Sequence, residues 1–146
     1  MAWITITPED VRTRLTAAEL AAIQNTSLAP DQADPVPEVI EQVVDEVRGY
    51  VSNVATLGSG STIPSKLLSA ALAIIRYRLL GRVGLKSGED RRREYEDAVR
   101  LLERAADGKF RVEEPETAST ETNANPLPSS FTTPERKFSR NDQDGI

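Results

Sequence analysis

The stretch "SKLLSAALAIIRYRLLGR", Ser65–Arg82, decides the fold. From Leu67 to Ile75 it is apolar on nearly every side of a helix, broken only by Ser69. Arg76, Arg78 and Arg82 follow within seven positions. The apolar run is about half the ~18–20 residues that a membrane span needs. No heptad is sustained, which argues against a coiled coil. A central helix covered by its neighbours is the expected arrangement. Leu67, Leu68, Ala71, Leu72, Ile74 and Ile75 would be covered, and Ser69, Ala70 and Ala73 would allow close approach. The arginines would mark where the helix leaves the core.

The covering elements are legible on either side. Around "PEVIEQVVDEVRGYVSNVA", Pro37–Ala55, the residues Val36, Val39, Ile40, Val43, Val44, Val47, Tyr50, Val51 and Val54 fall at spacings of three and four, one helical stripe. Valine is a poor helix former, so this helix depends on packing. Gly49 within it suggests the close approach of another helix. On the far side a final helix is expected from Glu89 to about Asp107, with Tyr95, Ala98, Val99, Leu102, Ala105 and Ala106 inward. Glu89–Arg93 and Glu96–Arg100 are spaced for ion pairs on its outer face. Gly108 would stop it. Two short helices precede these. Thr7, Pro8, Glu9 and Asp10 form a helix start leading to Arg14. Thr16 and Glu19 form a capping box for a helix to about Gln24. "WITIT" reads as a short extended segment, and "LGSGST", Leu57–Thr62, as a flexible connector. Pro64 is expected to open the central helix.

The fold class is therefore all-α: a compact bundle of two short N-terminal helices and three longer ones, with an extended C-terminal tail. Its core should include Val43, Val47, Tyr50, Leu68, Leu72, Ile75, Tyr95, Val99 and Leu102. The domain spans residues 1–112. Residues 113–146 carry four of the nine prolines and almost no aliphatic side chains. Such a tail cannot fold alone, so its order is expected only from contact with a partner. Phe131 and Phe138 are its candidate anchors, since aromatic side chains carry much interface energy.

The chain of 146 residues is 38% hydrophobic and 28% charged, with net charge −5. The tail holds seven acids against three bases, and the body is close to neutral. That gives no general attraction to nucleic acid. No cysteine and no histidine is present. Disulfides, thiolate chemistry, the commonest general base and the commonest zinc ligand are thereby removed. No Gly-rich phosphate loop is present, since "GSGS" lacks the Lys and Ser/Thr that must follow. The sequence offers no catalytic set, metal or cofactor, and an enzyme is not expected. "MAWITIT" does not resemble a secretory signal.

The basic segment Arg76–Arg93 is the remaining feature, with seven bases and two acids. Arg78 and Arg82 suit the end of a helix. Arg91, Arg92 and Arg93 stand in a first turn, where the helix dipole disfavours cations. Phosphates, a partner's acids or the chain's own acidic tail would have to compensate. Arg76, Arg78, Arg82, Arg91, Arg92 and Arg93 are thus candidates for contact with a partner or a DNA channel.

Three stretches together carry a family resemblance: "DEVRGYV" (Asp45–Val51), "IPSKLLSAALAIIRYRLLGR" (Ile63–Arg82) and "REYEDAVRLLERAADGKF" (Arg93–Phe110). In this order and spacing, over roughly residues 1–112, the chain resembles the Mu-like prophage family of small neck proteins. These are similar to the head-completion or head–tail adaptor proteins of tailed phages. The family's Arg-Tyr-Arg corresponds to Arg76–Arg78 and its Tyr-Glu-Asp-Ala to Tyr95–Ala98. The connector Leu57–Thr62 and the long tail depart from the family pattern.

The resemblance implies a virion neck protein, assembled from the host cytoplasm as a ring under the portal, expected to be a dodecamer. Its partners would be the portal protein, the next neck or tail-completion protein and, passing through without sequence preference, genomic DNA. It implies no membrane. The second reading, from the basic segment, is a small helical DNA-binding regulator using Arg76–Arg93.

Overall fold

A computed structural model of the chain describes residues 3–26, 33–86 and 88–116. The element order is β1 (Trp3–Thr5), α1 (Pro8–Arg14), α2 (Ala17–Thr26), α3 (Pro35–Val51), β2 (Thr62–Pro64), a 3₁₀ turn (Ser65–Leu67), α4 (Leu68–Arg82) and α5 (Glu89–Ala106). The helical bundle expected from the sequence is what forms.

The caps explain where the first two helices start. Thr7 accepts from the Asp10 N–H while Asp10 accepts from the Thr7 N–H, a reciprocal capping box, with Pro8 at the first helical position. Thr16 and Glu19 repeat the arrangement at the head of α2. α3 begins at Pro35, one residue ahead of its stripe, because Asp34 caps it by accepting from the Val36 N–H at 3.0 Å. It ends at Val51, which leaves Val54 outside the helix and exposed.

α4 is the centre of the bundle, packed by α5 and α3 along its length and by α1 and α2 on a third side. The core joins Val43, Val47 and Val51 of α3, Leu72, Ile74 and Ile75 of α4, and Ala98 and Leu102 of α5. Each large apolar side chain taken fully from water contributes about 1.5–3 kcal/mol. Of the expected core, Val43, Val47, Leu72, Ile75 and Leu102 are buried. Tyr50, Leu68, Tyr95 and Val99 pack against that core but keep one partly exposed edge.

Four expectations about local structure are corrected. Pro64 belongs to β2, and α4 starts four residues later, after the 3₁₀ turn. α4 does not leave the core at Arg76, since Leu79 and Leu80 beyond it are buried. Its arginines lie on flanks between buried faces. Gly49 does not admit a neighbouring helix: a Cβ there would meet nothing within 4 Å. Leu57–Thr62 is not a free connector but a pinned turn.

β1 pairs antiparallel with β2 in the register Trp3↔Pro64, Ile4↔Ile63 and Thr5↔Thr62. Gly58 lies so close to Trp3 that an added Cβ would stand 2.8 Å from Trp3 Cε3 and 2.9 Å from Thr62 Oγ1. Arg48 locks the turn from α3. It donates to the Thr62 carbonyl at 2.7 Å and the Gly58 carbonyl at 3.0 Å, with its guanidinium 6.0 Å over the Trp3 ring.

The segment after Val112 joins the same cluster. Trp3 Nε1 donates to the Glu113 carbonyl at 2.8 Å, the Glu113 carboxylate meets Lys66 Nζ at 3.1 Å, and Pro115 is buried. The packed body thus continues past Val112 to Pro115. The tail anchors Phe131 and Phe138 lie outside the described residues.

Candidate functional site

The six candidate arginines are brought into one belt across α4 and α5, and each meets a carboxylate of the body. Arg76 donates to Glu19 at 2.7 Å, and Arg78 to Glu46. Arg82 lies 3.5 Å from Glu38, Arg91 3.4 Å from Glu19, Arg92 3.0 Å from Glu96 and Arg93 3.7 Å from Glu89. The first-turn arginines are therefore compensated from within the chain. Arg91 is held by α2 and by its own neighbour Glu94 at 3.2 Å. Of the two outer-face pairs expected, Glu89–Arg93 forms. Glu96 instead receives Arg92, and Arg100 lies 3.6 Å from Asp97.

These pairs differ in weight. Arg92, Arg93 and Arg100 are exposed, where an ion pair contributes about 0–1 kcal/mol. Arg76 and Glu19 keep only 11% and 16% of their side-chain exposure. Burial acts to raise the Glu19 pKa. The Thr16 N–H, the Arg76 guanidinium and the Thr16 hydroxyl outweigh it, holding the carboxyl below its ordinary value of 4.5. Asp10 is also lowered, by its bonds from the Thr7 hydroxyl and N–H. Arg76 has a further neighbour in Glu94 at 3.9 Å, yet its Nε is buried without an acceptor. Glu19 thus ties α2 to both α4 and α5. Beside this network Tyr77 of α4 and Tyr95 of α5 stack with ring centroids 4.4 Å apart.

A groove of about 380 Å³ opens on the same flank, between α4 and α5. Small side chains, Ser69, Ala70 and Ala73 of α4 and Ala98 of α5, make room for it, and Leu72 and Leu101 complete its apolar lining. The small residues of α4 thus hollow out a surface as well as thinning a helix contact. Arg14, Arg76, Glu94 and Asp97 supply its charged lining. The groove is not visible in sequence, because it depends on which faces of two helices distant along the chain come together. Arg48 was missed for a different reason. It falls off the apolar stripe of α3 and so reads as a surface charge, although its donors are spent on carbonyls.

Among the described residues, no group of three acidic, histidine or cysteine side chains is arranged to hold a metal ion. No helix among them is long and apolar enough to cross a membrane. The site presents paired guanidinium and carboxylate groups beside a shallow, partly apolar groove.

The family described as "Bacteriophage Mu, Gp36" matches residues 6–128 of the chain. The match takes in every helix among the described residues and runs beyond the last of those residues. No curated protein and no solved structure matches.

Proposed function

The chain belongs to the bacteriophage Mu Gp36 family, a phage structural or morphogenetic family, and from this premise we propose that it is a head–tail connector subunit. Its copies form a ring below the portal, extend the DNA channel and present a docking surface to the next neck or tail protein. The family match over residues 6–128 is the observation that carries this reading. The mixed charge on the outer face of α5 supports it. Exposed pairs such as Arg92–Glu96 and Arg93–Glu89 can exchange partners with a neighbouring copy at little cost, because each contributes little where it stands.

Assembly would use the tail as well. Phe131 and Phe138 are its apolar anchors, and a segment of this composition gains order by coupled folding and binding. The subunit would pass from the host cytoplasm into the virion neck.

The reading as a DNA-binding regulator is less well supported. Every arginine of the belt has a carboxylate within reach, so phosphates would have to displace the chain's own acids. A salt-dependent mobility shift with duplex DNA separates the two. A connector gives weak binding without sequence preference, and a regulator gives specific binding at physiological salt.

The functional test is a phage lacking this protein. Its heads are expected to fill but to leak DNA or fail to join tails. Normal infectious yield would reject the connector role.

A further inference from the structure

We propose that, in the unassembled subunit, the groove between α4 and α5 seats residues Phe131–Glu135 of the chain's own tail, with the Phe131 ring on the small-residue floor and the Glu135 carboxylate toward Arg14. This rests on the groove, the tail sequence and the point where the described chain ends, and does not depend on what the subunit joins in the neck.

Three observations point to this occupant. The first is position. Glu113 is held on Lys66, and the groove floor begins at Ser69, about one helical turn further along the chain. Fourteen residues separate Glu116 from Phe131, and an extended chain of that length reaches about 45–50 Å. The tail therefore starts beside the groove with ample slack. Its attachment keeps the local concentration of Phe131 on the order of millimolar.

The second observation is shape and apolarity. Ala70, Ala73 and Ala98 make room for an aromatic ring, and Leu72 and Leu101 add apolar surface beside it. Phe131 and Phe138 are the tail's only aromatics. A seated phenyl ring buries roughly 150–250 Å².

The third is charge and spacing. Arg14 lines the groove and pairs with no acid among the described residues. Arg76, whose Nε lacks an acceptor, lines it too. From Ala70 to Arg76 the helix axis advances about 9 Å at ~1.5 Å per residue. From Phe131 to Glu135 an extended chain advances about 13 Å at ~3.3 Å per residue. A ring on Ala70 and Ala73 thus brings Glu135 to the arginine end. The next residues, Arg136 and Lys137, then lie at the Glu94 end of the groove, where Glu94 faces Arg76.

The chain has no cysteine, so disulfide trapping in the full chain is a direct test. A Ser69→Cys/Thr132→Cys variant places thiols at the groove edge and next to Phe131. Asp45→Cys/Thr132→Cys provides the control, on the exposed face of α3. At micromolar protein and mild oxidation, the groove pair is expected to close within one chain roughly tenfold faster than the control. Adding Phe131→Ser should abolish that difference. Independently, Phe131→Ser in the otherwise natural chain should shift the backbone amide resonances of Ser69, Ala73 and Leu101 while leaving α3 unmoved. Equal trapping at the two positions, disulfide-linked dimers in place of intramolecular closure, or amide shifts absent from the groove would each overturn the proposal.

Discussion

Replacing Glu19 with glutamine removes one charge and little else. Glutamine keeps an oxygen for the Thr16 N–H, so the capping box at the head of α2 survives. The same oxygen can still accept from Arg76. What disappears is the negative charge between Arg76 at 2.7 Å and Arg91 at 3.4 Å. Stranding a fully buried partner costs about 3–5 kcal/mol. Arg76 keeps 11% exposure, and Glu94 remains at 3.9 Å. Those two facts bring the expected cost to about 2 kcal/mol. For a packed body of this size that lowers Tm by about 8 °C.

Circular dichroism melts of Glu19→Gln, Arg76→Met and the double variant measure this as a cycle. The double variant should recover at least about 1 kcal/mol relative to the sum of the singles, since a methionine needs no counter-charge. The pH dependence has a definite sign. The folded carboxyl titrates below its ordinary 4.5, so its stabilisation is complete above that value. It fades as pH falls through the lowered folded pKa. The Tm gap between natural chain and Glu19→Gln should therefore be full at pH 7 and close in acid below 4.5. A Glu19→Gln variant within about 0.5 kcal/mol of the natural chain at neutral pH, or a gap that persists in acid, would refute the reasoning.

Two glycines should respond in opposite directions. Gly58→Ala drives a methyl to 2.8 Å from the Trp3 ring and 2.9 Å from Thr62. It should cost about 1–3 kcal/mol, read from urea denaturation and the fluorescence of the single tryptophan. Gly49→Ala meets nothing within 4 Å on an exposed helix face and should stabilise by about 0.5–1 kcal/mol in the same assay. Truncation after Val112 removes the acceptor of Trp3 Nε1, the partner of Lys66 and the burial of Pro115, for a loss of about 1–3 kcal/mol. Truncation after Glu116 should lower the melting temperature much less.

What could be read in advance follows from how local each signal is. Thr7, Pro8 and Asp10 act within one turn, as do Thr16 and Glu19, and both helix starts are legible from spacing alone. The α3 stripe is legible for the same reason, because its period is a property of one helix. α4 is harder. A segment apolar all round gives no phase, and its mean composition does not show that burial resumes at Leu79 and Leu80 past Arg76. Pairing of β1 with β2 joins Trp3 to Pro64, and three-residue strands carry no alternation long enough to announce it. Gly58 read as flexible because glycine and serine surround it. Its actual constraint is the Trp3 ring, about half the domain away in sequence. The basic segment was legible as a cluster, but its acids were not. Glu19, Glu38 and Glu46 reach it from α2 and α3 only once the bundle has formed.

Electron microscopy of phage particles carrying a small fusion tag on this subunit tests the connector reading most directly. The account predicts tag density as a closed ring at the neck, immediately below the portal and coaxial with the DNA channel, and no such ring in particles that lack the protein. Tag density on the capsid shell, along the tail tube or nowhere on the finished particle would contradict it.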